Sequence, residues 1–251
     1  MRWLLILLLL CGVPASAQPR LVTGLSQSRI DISYRFAGSD LLVFGAIQYP
    51  GGRAPSTPPG IAIVLRGPTE ALTVRHKERV AGVWVNTKAL RFESAPGYYA
   101  VATTHPVSQL LDERNAAIYE IGVRHLQLSP ATAAAMEQTR AFQDGLVSLR
   151  QADGLYVEQP YGVTVTDNIL YRARIPLPSA VPVGSYRAEI HLIEDGQVLA
   201  RSTAPIIIDK SGMERAVHLF AHEHAFLYGL ASVAMALAMG WLAGLLVRKR
   251  T

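Results

Sequence analysis

Pro182-Val183-Gly184-Ser185-Tyr186-Arg187 opens the stretch that decides the fold. Over residues 184–194 and 198–208 apolar and polar side chains alternate, and Asp195-Gly196 stands between the two runs, where a two-residue turn needs positive φ. Strand, tight turn and strand of matching length predict an antiparallel hairpin. Earlier in the chain, residues 163–165 and 170–175 are further extended segments. Near the N-terminus Ile30, Ile32 and Tyr34 alternate with polar neighbours, residues 41–47 form an apolar run, and short apolar runs at 61–65, 72–74, 83–85 and 98–102 follow. Turn formers punctuate them: Ala37-Gly38-Ser39-Asp40, a Pro/Gly/Ser-rich loop over 50–60, Gly67-Pro68 and Pro96-Gly97. Short strands at regular spacing predict a sandwich or barrel.

Between residues 105 and 154 the period changes to that of helices. Ser129-Pro130 reads as a cap followed by proline at the first helical position; Ala135, Phe142, Leu146 and Leu149 recur at helical spacing, and Gly154 stands where a C-terminal cap would. Pro106 opens a shorter segment in which Leu110, Leu111, Ile118 and Ile121 share one face, ending near Gly122. The segment 182–187, entering a strand that leads to a tight hairpin, has the pattern of the closing strands of immunoglobulin-like sandwiches. The fold class expected is therefore mainly β: an immunoglobulin-like sandwich with a helical insertion.

Both termini carry membrane signals. Residues 226–247 hold no charged side chain, and Arg248-Lys249-Arg250 follow at once. Twenty-two residues rise about 33 Å as a helix, close to the hydrocarbon thickness of a bilayer, so a C-terminal transmembrane helix is expected. At the other end Met1-Arg2, an apolar core over residues 3–10 and Ala15-Ser16-Ala17 have the three-part form of a secretory leader cleaved after Ala17. Cys11 leaves with it. The basic tail then stays inside under the positive-inside bias, and the bulk of the chain is exported. The organisation expected is a signal peptide (1–17), an N-terminal β-rich part (18–105), a helical insertion (106–154), closing strands (155–210), a juxtamembrane segment (211–225), the transmembrane helix (226–247) and a cytoplasmic tail (248–251). This describes a type I single-pass protein of the inner membrane with a periplasmic domain.

Charge and cysteine content exclude several classes. Of 24 basic residues four (Arg2, Arg248, Lys249, Arg250) are topogenic, leaving 20 against 19 acidic ones, so the exported part is nearly neutral and no basic stripe for nucleic acid remains. Without Cys11 the mature chain has no thiol, which rules out disulfides, thiolate zinc sites and thiol catalysis. There is no G-x-S-x-G elbow, Walker loop or G-x-G-x-x-G; Gly24-Leu25-Ser26-Gln27-Ser28 begins like an elbow but lacks its second glycine.

The runs Leu41-Leu42-Val43-Phe44-Gly45-Ala46, Ile63-Val64-Leu65-Arg66-Gly67-Pro68, Val74-Arg75-His76-Lys77-Glu78-Arg79-Val80-Ala81-Gly82-Val83-Trp84-Val85-Asn86 and Tyr98-Tyr99-Ala100-Val101-Ala102 resemble the alphaproteobacterial putative transmembrane protein family, over almost the whole mature chain. The resemblance implies an inner-membrane protein with a periplasmic domain, and it carries over no catalytic or ligand residue and no cofactor.

Three groups of residues are candidates for function. His218 and His222, at i and i+4 beside the membrane, have a spacing that can hold zinc, although no His-Glu-x-x-His is present and a juxtamembrane spacer explains them as well. Ser232, Ala236, Gly240 and Gly244, four apart, form a small-residue stripe that lets another helix approach: a polytopic membrane protein or a second copy. Residues 74–86 read either as an anion or partner patch anchored by Trp84 or as a charged hairpin followed by a strand whose Val83/Val85 and Trp84 point to opposite faces. His105, His125 and His191 stand alone and are read as structural. Together these predict a non-enzymatic accessory or sensing subunit of a membrane assembly such as a transporter. A binding module for a small anion or metal, and a hydrolase without a recognisable motif, are the alternatives.

Overall fold

The computed structural model describes residues 18–32, 37–132, 136–210 and 221–248. The leader expected at 1–17, Tyr34, Ala135, His218 and the end of the basic tail lie outside them. The strands are β1 (Arg20–Leu25), β2 (Arg29–Ile32), β3 (Ser39–Gln48), β4 (Gly60–Arg66), β5 (Thr69–Val80), β6 (Val83–Pro96), β7 (Tyr99–Thr103), β8 (Ser129–Pro130), β9 (Tyr156–Gln159), β10 (Val163–Thr166), β11 (Leu170–Leu177), β12 (Gly184–Glu194) and β13 (Gln197–Lys210). The protein is mainly β, with several sheets. One sheet has the order β1-β3-β11-β10, a second β2-β13-β12-β4-β7-β9 and a third β5-β6-β8.

The first two sheets pack through their alternating faces. In β11 Tyr171, Ala173, Ile175 and Leu177 turn inward while Leu170, Arg172 and Arg174 turn out. The apolar run of β4 is buried throughout, from Ile61 to Leu65, because the second sheet is covered on both faces. Ile61, Ile63 and Leu65 share one of them. The other face, with Ala62, Val64 and Arg66, lies under residues 111–122: Arg66 donates to the Tyr119 carbonyl (3.0 Å), and Tyr99 Oη to that of Glu120 (2.7 Å). Asp195-Gly196, at φ 49° and 76°, makes the expected tight turn between β12 and β13.

β4 and β7 continue past the sheet as β5 and β6, so residues 60–103 are one long antiparallel ribbon bent at a corner. Backbone bonds from Gly67 N–H to Tyr98 O (2.8 Å) and from Gly97 N–H to Pro68 O (2.7 Å) carry the pairing through the bend. A Cβ on Gly67 would sit 2.9 Å from the Tyr186 ring, and one on Gly97 2.9 Å from Pro182, so the close approach requires glycine at both. Beyond the corner the ribbon is an arm. Its root is packed: Leu90, Phe92 and Ala95 share a small core with Leu128, Phe142 and Leu146.

Three short-range readings are corrected. Ser129-Pro130 does not cap a helix but pairs with Phe92 and Ser94 of β6; the helix begins at Met136. The segment after Pro106 is two helices, α1 (Val107–Leu110) and α2 (Glu113–Tyr119), because Asp112 Oδ1 accepts from Asn115 N–H (2.6 Å) and starts a new helix out of phase. Ile118 is consequently 58% exposed, while Leu110, Leu111 and Ile121 are buried. In α3 (Met136–Ala152) the buried stripe is Phe142 and Leu146, with Leu149 left exposed. Gly154 at φ 70° does close α3, with Gly154 N–H on Gln151 O and Leu155 N–H on Arg150 O completing a Schellman cap.

A separate compact unit contains helix α4 (Ala225–Arg248), 24 residues or about 36 Å long. Among the described residues no helix is long and apolar enough to cross a membrane. The side chains of Ala231 and of residues 242–248 are not among them.

Tyr98 and Tyr186 hold the corner together. Tyr98 Oη donates to the Pro176 carbonyl in the facing sheet, its ring lies 6.0 Å from that of Tyr186, and Tyr186 Oη donates to the Pro182 carbonyl four residues back (2.6 Å). Burial pushes both phenols well above their usual pKa, so they remain donors. Tyr186→Phe keeps the packing and removes that bond; urea unfolding is expected to show a loss of about 1 kcal/mol.

Candidate interaction surfaces

The densest polar cluster is buried rather than open. On the outer face of the second sheet, under residues 111–122, Arg66 pairs with Glu120 and lies 5.8 Å from the Tyr99 ring centroid. His191, fully buried, stacks edge-on with Tyr119 at 5.6 Å. Among the described residues neither of its ring nitrogens makes a hydrogen bond of good geometry, although the Ala62 backbone lies beside it. Desolvation first, then the positive charges of Arg201 and Arg66, lower its pKa to about 4. The ring is neutral at neutral pH and faces no nucleophile, so the cluster supports structure rather than proton transfer.

A cleft of roughly 850 Å³ opens between residues 106–125 and α3. His125 lines it, with Nδ1 2.8 Å from the Ile121 carbonyl and Nε2 3.2 Å from Glu113 Oε1. Glu158 accepts from Val123 N–H (3.2 Å), and Ser148 Oγ donates to the Asp144 carbonyl of its own helix (2.8 Å). His125, Glu158 and Ser148 are thus each engaged locally. Among the described residues no group of three His, Cys, Asp or Glu is placed to hold a metal ion.

Outside α4, whose large apolar side chains are exposed, two exposed apolar surfaces stand out among the described residues. On the outer face of the first sheet Val22, Phe44 (43% exposed) and Leu170 (53%) line a shallow groove of roughly 600 Å³, edged by Arg172. The second is the arm tip, where Val80, Val83, Trp84 (67%) and Val85 are all exposed. Arg79 is opposite Trp84 and Val80 opposite Val83, which puts Trp84 and Val83 on opposite faces as expected for this strand.

Of the residues singled out in the sequence, His218 lies outside the described residues, and His222 is one turn before α4. Ser232, Ala236, Gly240 and Gly244 all fall within α4 at four-residue spacing. Ser232 Oγ donates to the Tyr228 carbonyl of that helix (2.9 Å), which satisfies its hydroxyl internally. A Cβ on Gly240 would meet nothing within 4 Å. His105 lies 6.0 Å from the Tyr161 ring. Sequence reasoning missed the groove around Phe44, since Phe44 sits in a run, residues 41–47, that reads as buried on both sides.

The chain belongs to the family described as "Putative transmembrane protein", whose model matches residues 20–249. No characterised protein in the curated set matches it. Among solved structures it is similar to Spo0M, a sporulation control protein from Bacillus subtilis, at 11% identity and a TM-score of 0.29; the match covers 83% of this chain and 56% of that one.

The His191 pKa sets a pH dependence. The folded value lies below the ordinary 6.5, so the unfolded chain binds the extra proton, and stability is complete above about pH 6.5 and falls as pH drops towards 4. Denaturant titrations of the full chain in neutral detergent should show a loss on the order of 3 kcal/mol across that window. His191→Leu should flatten it.

Proposed function

We propose that the protein is a type I single-pass inner-membrane protein whose periplasmic sandwich is an accessory or sensing subunit of a membrane assembly such as a transporter. In this reading the leader is removed after Ala17, α4 spans the bilayer and the basic tail is cytoplasmic. The uncharged run 226–247, the positive-inside bias and membership of a family described as transmembrane support the topology.

An immunoglobulin-like sandwich is the architecture proposed for the exported part. In chain order β1, β3, β4, β7, β10, β11, β12 and β13 take the places of strands A, B, C, C′, D, E, F and G, giving A-B-E-D in one sheet and G-F-C-C′ in the other. Tyr186, at the start of the F-like strand and bonded back to Pro182, corresponds to the tyrosine corner of such domains. The arm is then an extension of the C–C′ hairpin. Action by contact is favoured by the same architecture, with its interior filled by Ile63, Leu65, Ile175 and Ile190 rather than hollowed for a substrate.

The observation that carries the reading is the exposed patch of Val22, Phe44 and Leu170. A domain that met only water would present polar side chains there, and an aromatic at the centre of a flat apolar face is the usual anchor of a protein contact. The partner is placed in the same membrane, and the Ser232, Ala236, Gly240, Gly244 stripe offers α4 a second contact with it.

Affinity purification of the full chain from native membranes tests this. Phe44→Asp with Leu170→Asp, both exposed, should leave the fold intact and reduce the co-purifying partner roughly thirtyfold, a hot-spot loss of about 2 kcal/mol. Gly240→Leu should weaken the same partner. Undiminished recovery in the double variant contradicts the proposal.

A further inference from the structure

We propose that one face of the β5–β6 arm binds an anionic lipid surface, namely the bilayer that holds the chain's own helix; the inference rests on the anchoring proposed above. Side chains alternate along the arm, so Arg75, Lys77 and Arg79 share a face, and the cross-strand pairs Arg79↔Trp84 and Lys77↔Asn86 put Trp84 and Asn86 on it too. All five are exposed. Among the described residues the acid on this face is Glu93, nearer the root, where it pairs with Arg91 (Nε–Oε1 3.3 Å); Glu78 points to the other side, where it pairs with His76 (Nδ1–Oε1 3.2 Å).

The chemistry matches a lipid headgroup layer better than water. Three cations towards the tip, with Glu93 engaged by Arg91 rather than by them, would serve for solubility alone, but a tryptophan two-thirds exposed beside them would not. Indole sits at the boundary between headgroup and acyl chain, where its ring is apolar and its N–H finds water or phosphate, and lysine and arginine face the anionic phosphates around it. Val80, Val83 and Val85 surround the turn at Ala81-Gly82, so the tip itself is apolar. Arg79 Nε donates to the Gly82 carbonyl (3.2 Å), which fixes that cation next to the turn.

Topology gives the arm its direction. β12 is antiparallel to both β4 and β13, so β4 and β13 run the same way. Arg66, the last residue of β4, is level with Arg187, and Ile208, near the end of β13, with Gly184; a Cβ on Gly184 would lie 3.0 Å from Pro68. The arm therefore leaves the sandwich at the end where the last strand, β13, also ends. Its twelve-residue strand β5 is about 40 Å long.

The test uses the full chain with Trp3→Phe and Trp241→Phe, which leaves Trp84 as its only tryptophan. The protein is reconstituted in nanodiscs that contain no other protein, made of phosphatidylglycerol or of phosphatidylcholine, each with brominated acyl chains. Trp84 emission should be quenched and blue-shifted in phosphatidylglycerol, much less so in phosphatidylcholine, and should recover in high salt. Arg75→Glu, Lys77→Glu and Arg79→Glu together should weaken the lipid contact about a hundredfold, at about fivefold for each cation lost; an unchanged circular dichroism spectrum shows that the fold is kept. Absence of quenching in phosphatidylglycerol overturns the proposal, as does equal quenching in both lipids at all salt concentrations. Protection of Trp84 only when a second protein is added overturns it in favour of a protein partner. A chain that enters the disc while Trp84 stays unquenched refutes the lipid contact and keeps the anchor, whereas a chain that does not enter refutes both.

Discussion

The corner at Gly67-Pro68 and Gly97-Tyr98 is the constraint on which the rest depends. A two-stranded ribbon can leave a sheet only where its backbone hydrogen bonds continue and its side chains make room. Here the two glycines clear space for Tyr186 and Pro182, and the pairing Gly67 to Tyr98 and Gly97 to Pro68 bridges the bend. The same few residues close the sandwich, since Tyr98 reaches across to Pro176 and Tyr186 bonds back to Pro182. One tyrosine pair thus ties sheet to sheet and body to arm.

From that corner two environments follow. Towards the body, the second sheet is covered on both faces, and charged groups on its outer face are tolerated because they meet partners: Arg66 has Glu120 and two backbone carbonyls, and Glu189 has Arg187 at 3.9 Å. Among the described residues Arg66 Nε and both His191 ring nitrogens are the exceptions, and burial keeps the His191 ring neutral. Towards the arm, the packing thins along the ribbon. Phe92 is fully buried against Phe142 and Leu146 at the root, and eight residues back Trp84 stands open. A strand pair with both faces in water is not held by its own side chains, so the tip depends on the root for its order.

Much of this was legible in the sequence where local chemistry decides. Asp195-Gly196 makes its turn and Gly154 its cap, because each is set by a few neighbouring residues. Ser129-Pro130 misled because its cap-like chemistry is overridden by pairing with Phe92 and Ser94, which lie far away in the chain. The single helix expected after Pro106 breaks at Leu111 because Asp112 is itself a good cap, a signal present in the sequence and passed over. The length of β5 and β6 was hidden for a different reason: Arg75, His76, Lys77, Glu78 and Arg79 look like a loop when burial is taken as the mark of a strand, yet here both faces are wet. Surface function was the least legible, since Phe44 in an apolar run gives no sign that its face of the sheet is bare.

Hydrogen exchange of the full chain in uncharged detergent tests the central claim most directly. A corner that anchors a free-standing arm predicts slow exchange for the amides of Gly67, Gly97 and Tyr99, close to that of β4, and exchange faster by orders of magnitude for residues 77–86. Protection at the tip equal to that of the sheet, or exchange at the corner as fast as at the tip, would contradict it.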